Sequence, residues 1–150
     1  MKTIGMLGGM GWESTLSYHK DVNEGVKQRL GGLHSARASL YSVHFEEIEK
    51  LQHTAQWGKT GEILSEAARA VAAGGADFLL ICTGTMHKVA PQGEAAVGIP
   101  LPHIADATAE KSQASSVSRV GLLGTRVTME QDSYKQRIVD NDGIEVLVPD

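Results

Sequence analysis

Short runs of apolar residues alternate along this chain with longer segments in which apolar residues recur every three or four positions. The short runs are typical of buried strands, and the periodic segments are typical of amphipathic helices. Residues 78–82, Phe-Leu-Leu-Ile-Cys, are wholly apolar, as expected of a parallel strand covered on both faces. The pattern predicts strands at 3–7, 38–43, 78–82, 99–104, 119–123 and 145–148.

Predicted helices separate these strands. In the clearest of them, 60–73, Ile63, Leu64 and Ala67 share one face, and Gly74 follows as a stop signal. Strands that alternate with helices predict an α/β fold: a parallel, flavodoxin-like sheet of about four strands with helices on both faces, followed by the start of a second similar unit. The other helices are predicted at 13–29, 44–52, 106–116 and 129–139 and in a segment that ends at Glu94.

Composition and charge are ordinary for a globular protein. The 150 residues are 41% apolar and 21% charged, which excludes a disordered or collagen-like chain. A formal net charge of −4 provides no surface for phosphate backbones, so a nucleic-acid partner is not expected. No run of about 18 apolar residues exists, so no membrane partner is expected, and the start of the chain lacks a signal-peptide core.

The serine-rich stretch 111–118 indicates a connection between two α/β units.

Cys82 is the single cysteine, which excludes an internal disulfide and a cysteine-pair zinc site. The expected location is a reducing compartment, the cytoplasm. A lone cysteine at the end of an apolar strand is either a small buried hydrophobe or a reactive thiol. Thr83 and Thr85 support the second alternative, because hydroxyl groups can hold a carboxylate beside the sulfur. His87 and Lys88 support it too, because cations and a helix N-terminus lower the pKa of a thiol.

The loop 8–11, Gly-Gly-Met-Gly, follows the first predicted strand, at the end where parallel sheets bind ligands. Ser14 stands where a dinucleotide fingerprint has its third glycine, and no P-loop lysine follows. A nucleotide site is therefore disfavoured. The remaining alternatives are backbone N–H groups that bind a small anion at a helix N-terminus, and a tight turn without a ligand. Ser14 and Thr15 are possible caps of that helix.

The other histidine and arginine residues give weaker indications. His34, His44, His53 and His103 are too scattered along the chain to predict a metal site. Arg37 and Arg126 are candidates to pair with a substrate carboxylate, and the alternative for both is a structural ion pair.

Five segments of the chain resemble the aspartate/glutamate racemase family, in particular its bacterial amino-acid racemases. They are 8–15 (Gly-Gly-Met-Gly-Trp-Glu-Ser-Thr), 23–25 (Asn-Glu-Gly), 82–88 (Cys-Thr-Gly-Thr-Met-His-Lys), 103–108 (His-Ile-Ala-Asp-Ala-Thr) and 122–126 (Leu-Leu-Gly-Thr-Arg). The resemblance runs along essentially the whole chain. The segments around Trp12, Met86 and Gly124 are specific in combination.

The resemblance implies racemisation of a small acidic amino acid without pyridoxal phosphate or a metal ion, and hence no cofactor. In the family, two cysteines exchange protons with opposite faces of the substrate α-carbon, in a cleft between two similar α/β domains. Cys82 matches the first of these cysteines. The substrate-binding positions of the family match Met10, Gln52, Thr83, Gly84, Thr85 and Thr125.

The sequence departs from the family pattern in two places. Gly84 stands where the family usually has asparagine, so a side-chain amide that contacts the substrate is missing. The second cysteine of the family lies in a part that follows Asp150, so the resemblance implies a truncated racemase. On this interpretation, 1–115 is the first domain and 116–150 is the incomplete start of the second. Exposed strand surface in that second unit predicts a homodimer or other self-association.

Two other function classes remain. The missing second cysteine and Gly84 favour an inactive module that binds a small dicarboxylate or another anion without chemistry. A nucleotide- or phosphate-binding domain is the third class, and the incomplete glycine fingerprint disfavours it.

Overall fold

Strands and helices alternate along the chain in the computed structural model, which describes residues 1–130 and 132–149. Two compact units divide the chain: unit 1 is Met1–Thr83 with Val89–Leu101, and unit 2 is Gly84–Lys88 with Pro102–Asp150. The elements in chain order are β1 (Thr3–Gly8), α1 (Trp12–Leu30), β2 (Arg37–Ser42), α2 (Phe45–His53), α3 (Trp57–Ala73), β3 (Phe78–Ile81), a 3₁₀ turn (Thr85–Val89), α4 (Ala90–Ala95), α5 (Ile104–Ala114), β4 (Arg119–Gly121), α6 (Arg126–Glu130), α7 (Asp132–Asp142) and β5 (Glu145–Leu147).

The sheet of unit 1 consists of parallel strands in the order β2-β1-β3. Leu7 of β1 is level with Tyr41 of β2 on one side and with Ile81 of β3 on the other. The middle strand is buried over its last four residues, whereas β2 is largely exposed. This difference is expected, because β2 is an edge strand and β1 has a neighbour on each side.

Two glycines of β1 show how helices cover this sheet. A Cβ at Gly5 would collide with Val71 of α3, and a Cβ at Gly8 would collide with Thr15 of α1. Positions 5 and 8 are an odd number of residues apart, so they face opposite sides of the strand. Helices α3 and α1 therefore pack on opposite faces of β1, so closely that only glycine fits at these two positions.

Unit 2 has a smaller parallel sheet, in which Val120 of β4 is level with Val146 of β5. Its core is built from small and branched apolar side chains of the two longer helices and the strand region. Val120, Tyr134 and Val146 pack against this core and are partly buried. The fully packed members are Ala105, Ala109, Ile138 and Ile144.

The structure confirms the predicted α/β fold with a parallel sheet, but the predicted strand at 99–104 is wrong. Pro100 and Pro102 have no backbone N–H, so this segment cannot form the regular ladder of a strand. The Pro100 carbonyl still accepts a hydrogen bond of 2.8 Å from the Leu79 N–H. Within the described residues the unit 1 sheet therefore has three strands rather than about four. The predicted helix 129–139 is divided between α6 and α7, and residue 131 between them lies outside the described residues.

The surface of unit 2 carries the exposed apolar residues that the sequence predicted near its strands. Leu123 is 79% exposed and Leu147 is 49% exposed. Self-association and the domain division into 1–115 and 116–150 stay predictions. In the part of the chain that the structure describes, every helix is too short or too polar to cross a bilayer.

Candidate functional site at the strand ends

The carboxyl ends of the three strands of unit 1 meet at one edge of the sheet, where open parallel sheets bind ligands. Backbone hydrogen bonds continue beyond the strand ends. The Val43 N–H donates to the Gly8 carbonyl at 3.0 Å, and the Cys82 N–H donates to the Leu7 carbonyl at 2.9 Å. These bonds hold the residue after β3 beside the middle strand, so the backbone of Cys82 is fixed at this edge.

Ser14 connects the start of α1 to the same edge. Its hydroxyl lies 2.6 Å from the Cys82 carbonyl oxygen and 2.9 Å from that of Gly11. The Thr15 hydroxyl accepts a hydrogen bond of 3.0 Å from the Gly9 N–H, so this N–H is occupied within the loop. The expectation that Ser14 and Thr15 cap α1 is wrong. The N-cap residue is Gly11, which has no side chain with which to cap the helix. The hydroxyls of Ser14 and Thr15 contact the glycine loop and Cys82 instead.

The Cys82 thiol is buried, with 1% of the residue exposed. Its Sγ lies 3.9 Å from the Leu80 carbonyl oxygen, to which a thiol donates weakly. Burial raises the pKa of the Cys82 thiol from 9.0 to about 11. The expectation of a lowered pKa is therefore wrong for this structure, because desolvation of the thiolate is the dominant effect. At neutral pH the thiol is protonated.

Three predicted substrate-binding residues belong to unit 1. Met10 is 6% exposed and lies just beyond β1. Thr83 is half-buried and lies just beyond β3, the strand paired with β1, so the structure brings these two residues to the same sheet edge. Gln52 is half-buried near the end of α2, and thus on a helix rather than in a strand-end loop.

Unit 2 brings together three threonine hydroxyls, of which the sequence predicted two. Oγ1 of Thr125 lies 3.1 Å from Oγ1 of Thr85 and 3.1 Å from Oγ1 of Thr128. We call these three side chains the threonine cluster. Each hydroxyl has one proton to donate and lone pairs to accept, so the cluster can bind a carboxylate. Thr128 is the member of the cluster that was not among the predicted substrate-binding residues. Its signal is the three-residue spacing from Thr125, which places both side chains on one side of a helical turn.

Gly84 lies beside the threonine cluster. A Cβ at this position would meet Oγ1 of Thr128 at 3.8 Å, which is an ordinary van der Waals contact. The neighbouring atoms therefore do not require a glycine here. A side chain introduced at position 84 would lie next to the hydroxyl of Thr128.

Two buried histidines of unit 2 pack edge to face, with the ring centroids of His87 and His103 4.6 Å apart. Nδ1 of His103 accepts a hydrogen bond of 3.1 Å from the Ala105 N–H and so caps α5. The His87 backbone is a second hydrogen-bond partner of the His103 ring. Burial, with the positive charges of His87 and Arg137, lowers the pKa of His103 from 6.5 to about 4. His103 was one of the scattered histidines and part of a family motif in the sequence, and neither observation indicated this capping role.

Arg126 forms an ion pair with Glu130, at 2.8 and 2.9 Å from Nε to the two carboxylate oxygens. This contact supports the structural alternative for Arg126. Residues 1–130 and 132–149, as far as they are described, contain no cluster of three or more histidine, cysteine or acidic side chains suited to a metal ion.

The family model described as Asp/Glu/Hydantoin racemase matches residues 7–150, nearly the full length of the chain. The chain belongs to the Asp/Glu/Hydantoin racemase family. The matched region includes Met10, Cys82 and the threonine cluster, and the resemblance inferred from the sequence is confirmed.

Solved structures of similar proteins agree with this membership. A candidate Asp/Glu racemase from Yersinia pestis is 51% identical, with a TM-score of 0.95 over 100% of this chain and 65% of that chain. An aspartate racemase homologue from Pyrococcus horikoshii is 34% identical, with a TM-score of 0.89 and the same coverage of both chains. The aspartate racemase of Picrophilus torridus is 19% identical, with a TM-score of 0.78 over 100% of this chain and 63% of that chain, and shares the fold. This racemase-family chain spans about 65% of the length of the first two relatives.

Proposed function

We propose that this chain carries a proton-transfer site for aspartate or glutamate and acts as a racemase of the aspartate/glutamate type. The observation that carries the proposal is the position of Cys82. It follows β3 at the carboxyl edge of a parallel sheet, in a chain of the racemase family, and Thr-Gly-Thr comes directly after it. The proposed chemistry needs neither pyridoxal phosphate nor a metal ion.

The proposed reaction removes and returns the α-proton of the amino acid. This hydrogen is a very weak acid, so the site must stabilise the negative charge that develops on the α-carbon and its carboxylate. Hydrogen-bond donors aimed at the carboxylate provide such stabilisation. Cys82 in its thiol form is a proton donor, and its thiolate is the matching base. Because burial raises the pKa of Cys82 to about 11, the thiolate needs a nearby positive charge, which the substrate ammonium group can supply.

The substrate-binding residues are proposed from the two units separately. In unit 1, Met10 and Thr83 come from neighbouring strand ends, and Gln52 is the third candidate. In unit 2, the hydroxyls of the threonine cluster offer donors for a carboxylate, and Gly84 offers its backbone N–H. The cluster is supported by the two contacts of 3.1 Å that link Thr125 to its neighbours.

Full racemisation needs an acid/base group on each face of the α-carbon. The 150 residues contain one cysteine, so Cys82 accounts for one of these two groups. A homodimer is one source of such a group. We propose self-association through exposed apolar residues such as Leu123 and Leu147, and a cytoplasmic location.

Chiral chromatography tests the proposal directly. The chain is incubated with each enantiomer of aspartate and of glutamate, and the appearance of the opposite enantiomer is measured. Conversion of one of these amino acids is expected, with a loss of about 100-fold or more in Cys82→Ser, because the alcohol is a far weaker acid. Thr54→Ser, which changes an exposed residue after α2, is the matched control. Racemisation that survives in Cys82→Ser would contradict the proposed role of the thiol.

A second candidate function is an inactive module that binds a small dicarboxylate. The burial of Cys82, with 1% of the residue exposed, favours it, because a buried and protonated thiol is inert. Calorimetry distinguishes the two functions. Aspartate binding that is unchanged in Cys82→Ala, together with no turnover of either enantiomer, would identify the binding module.

A further inference from the structure

The His103 side chain is tied to two separate parts of unit 2. Its Nδ1 accepts a hydrogen bond of 3.1 Å from the Ala105 N–H, in the first turn of α5. Its ring also forms a hydrogen bond with the backbone of His87, in the turn Thr85–Val89. His103 is 7% exposed, so water competes little for either bond. The imidazole therefore bridges the turn and the start of α5.

These two bonds determine which ring nitrogen carries the proton. Nδ1 accepts a hydrogen bond, so it holds no proton of its own. The hydrogen bond to the His87 backbone favours the protonated ring nitrogen, as a carbonyl acceptor does, and Nε2 is the nitrogen left to donate to it. Only the neutral Nε2–H tautomer satisfies both bonds, since a proton on Nδ1 would displace the Ala105 N–H.

The groups around the ring favour this neutral form. Arg137 and the ring of His87 both disfavour a positive charge on His103. Asp106 favours a positive charge on His103, but its two carboxylate oxygens accept hydrogen bonds of 2.5 and 2.8 Å from the Arg137 guanidinium. The Tyr134 ring lies 6.2 Å from His103, centroid to centroid. Burial, together with His87 and Arg137, outweighs the contributions of Asp106 and of the His87 backbone, so the imidazole is uncharged and Nδ1 stays available to accept the bond from Ala105.

We propose that His103 is a positioning residue: as a neutral Nε2–H imidazole it holds the backbone of the turn Thr85–Val89 against the start of α5. The consequence for binding follows from Thr85. This residue begins the turn, and its hydroxyl contacts Thr125 at 3.1 Å, so displacement of the turn separates the threonine cluster. The importance of this geometry for substrate rests on the proposed function, whereas the hydrogen-bonded bridge itself does not.

Two variants separate the two bonds of the bridge. His103→Asn places an amide oxygen close to the position of Nδ1, so it keeps the bond to Ala105 but is too short to reach the His87 carbonyl. His103→Gln places an amide nitrogen close to the position of Nε2, so it keeps the reach to His87 and loses the cap. Ala109→Gly is the control, because it weakens α5 without removing either bond.

The first two measurements need no substrate. Imidazole ¹⁵N NMR of the unmodified chain is expected to show the Nε2–H tautomer of His103 from about pH 5.5 to about pH 8. Amide hydrogen exchange reports on the turn through the His87 N–H, which donates to the Gly84 carbonyl at 3.2 Å. This amide is expected to exchange about ten-fold faster in His103→Asn than in Ala109→Gly, and His103→Gln is expected to restore most of its protection.

The outcomes separate this proposal from the proposed function. An Nδ1–H tautomer in the unmodified chain would overturn the bridge, and so would equal exchange in His103→Asn and Ala109→Gly. The tautomer measurement uses the unmodified chain, so it tests the bridge even if the variants do not fold. The Kd of aspartate is expected to rise about ten-fold in His103→Asn and to recover in His103→Gln. An unchanged Kd with faster exchange would overturn the positioning role. If the unmodified chain binds neither aspartate nor glutamate, the proposed function fails while the bridge is still decided without ligand.

Discussion

The hydroxyls of Thr85 and Thr125 lie 3.1 Å apart, although 40 positions separate the two residues along the chain. Thr85 begins the turn that follows the Cys82 segment, and Thr125 directly precedes α6. Their contact, together with that of Thr128, forms a group of hydroxyls that exists only when unit 2 is folded. The threonine cluster is therefore the clearest indication of a polar binding site in this unit.

The first prediction concerns this cluster. Thr125→Val keeps the shape of the side chain and removes the central hydroxyl, so the Kd of aspartate is expected to rise about three- to ten-fold, the value of one hydrogen bond. Thr128→Ser keeps the hydroxyl and is expected to change the Kd less than two-fold. Isothermal titration calorimetry measures both. Equal affinities of Thr125→Val and the unmodified chain would show that the cluster does not bind the substrate.

The second prediction concerns the Cys82 thiol. Because its pKa is raised to about 11, the fraction of thiolate is about 10⁻³ at pH 8, and alkylation by iodoacetamide is expected to be slow. The rate is expected to rise about ten-fold for each pH unit up to the unfolding limit. Mass spectrometry of the alkylated chain gives the rate, and the urea-unfolded chain is the control. Rapid alkylation of the folded chain near pH 7 would contradict the buried, protonated thiol.

The third prediction concerns the bond of 2.6 Å between the Ser14 hydroxyl and the Cys82 carbonyl. Ser14→Ala leaves this carbonyl without its side-chain donor, and we expect a loss of about 1 kcal/mol in the free energy of unfolding. Ser17→Ala is the matched control on the same helix, since Ser17 is exposed and makes only a long contact of 3.4 Å with the Glu13 carbonyl. Urea denaturation compares the two. A similar effect of both substitutions would show that the Ser14 bond adds no stability.

The fourth prediction is a loss of stability in acid caused by His103. The pKa of this residue falls from 6.5 in the unfolded chain to about 4 in the folded chain, so between these values the unfolded state binds more protons. The contribution of neutral His103 to the free energy of unfolding is therefore fully present above about pH 6.5. It declines as the pH falls toward 4, by at most about 3 kcal/mol.

Denaturation at several pH values measures this effect. His103→Asn is expected to flatten the decline between about pH 6.5 and about pH 4. The substitution His53→Asn, at an exposed residue, is expected to leave it unchanged. The same slope in His103→Asn and in the unmodified chain would assign the acid sensitivity to other groups.

Much of unit 1 could be predicted from the sequence because its signals are local. A wholly apolar run such as 78–82 indicates a buried strand, and Gly74 marks the end of a helix. The wrong prediction of a strand at 99–104 also has a local cause. The hydrophobicity of this segment favours a strand, but its two prolines prevent the regular hydrogen bonds between strands. The Pro100 carbonyl accepts a bond from Leu79, so the segment follows the sheet without belonging to it.

The candidate site was predicted less completely, because its contacts join distant parts of the chain. Thr128 escaped attention because nothing in one sequence shows that its hydroxyl meets Thr125 beside Thr85. The pKa of Cys82 was misjudged for a related reason. Neighbours in sequence suggested nearby cations, whereas the three-dimensional environment is dominated by burial. The role of His103 could not be predicted for the same reason. Its ring bonds the backbone of His87, which lies in a different element of the chain, and this contact exists only in the folded structure.

The proposed role of Cys82 in proton transfer is best tested by exchange of the substrate α-proton in deuterated water, because exchange reveals proton transfer even without full racemisation. Each enantiomer of aspartate and glutamate is incubated with the chain, and loss of the α-proton signal is followed by NMR, with Cys82→Ser as the control. Exchange that depends on Cys82 is expected for at least one enantiomer. Absence of exchange with all four amino acids, or exchange that persists undiminished in Cys82→Ser, would contradict it.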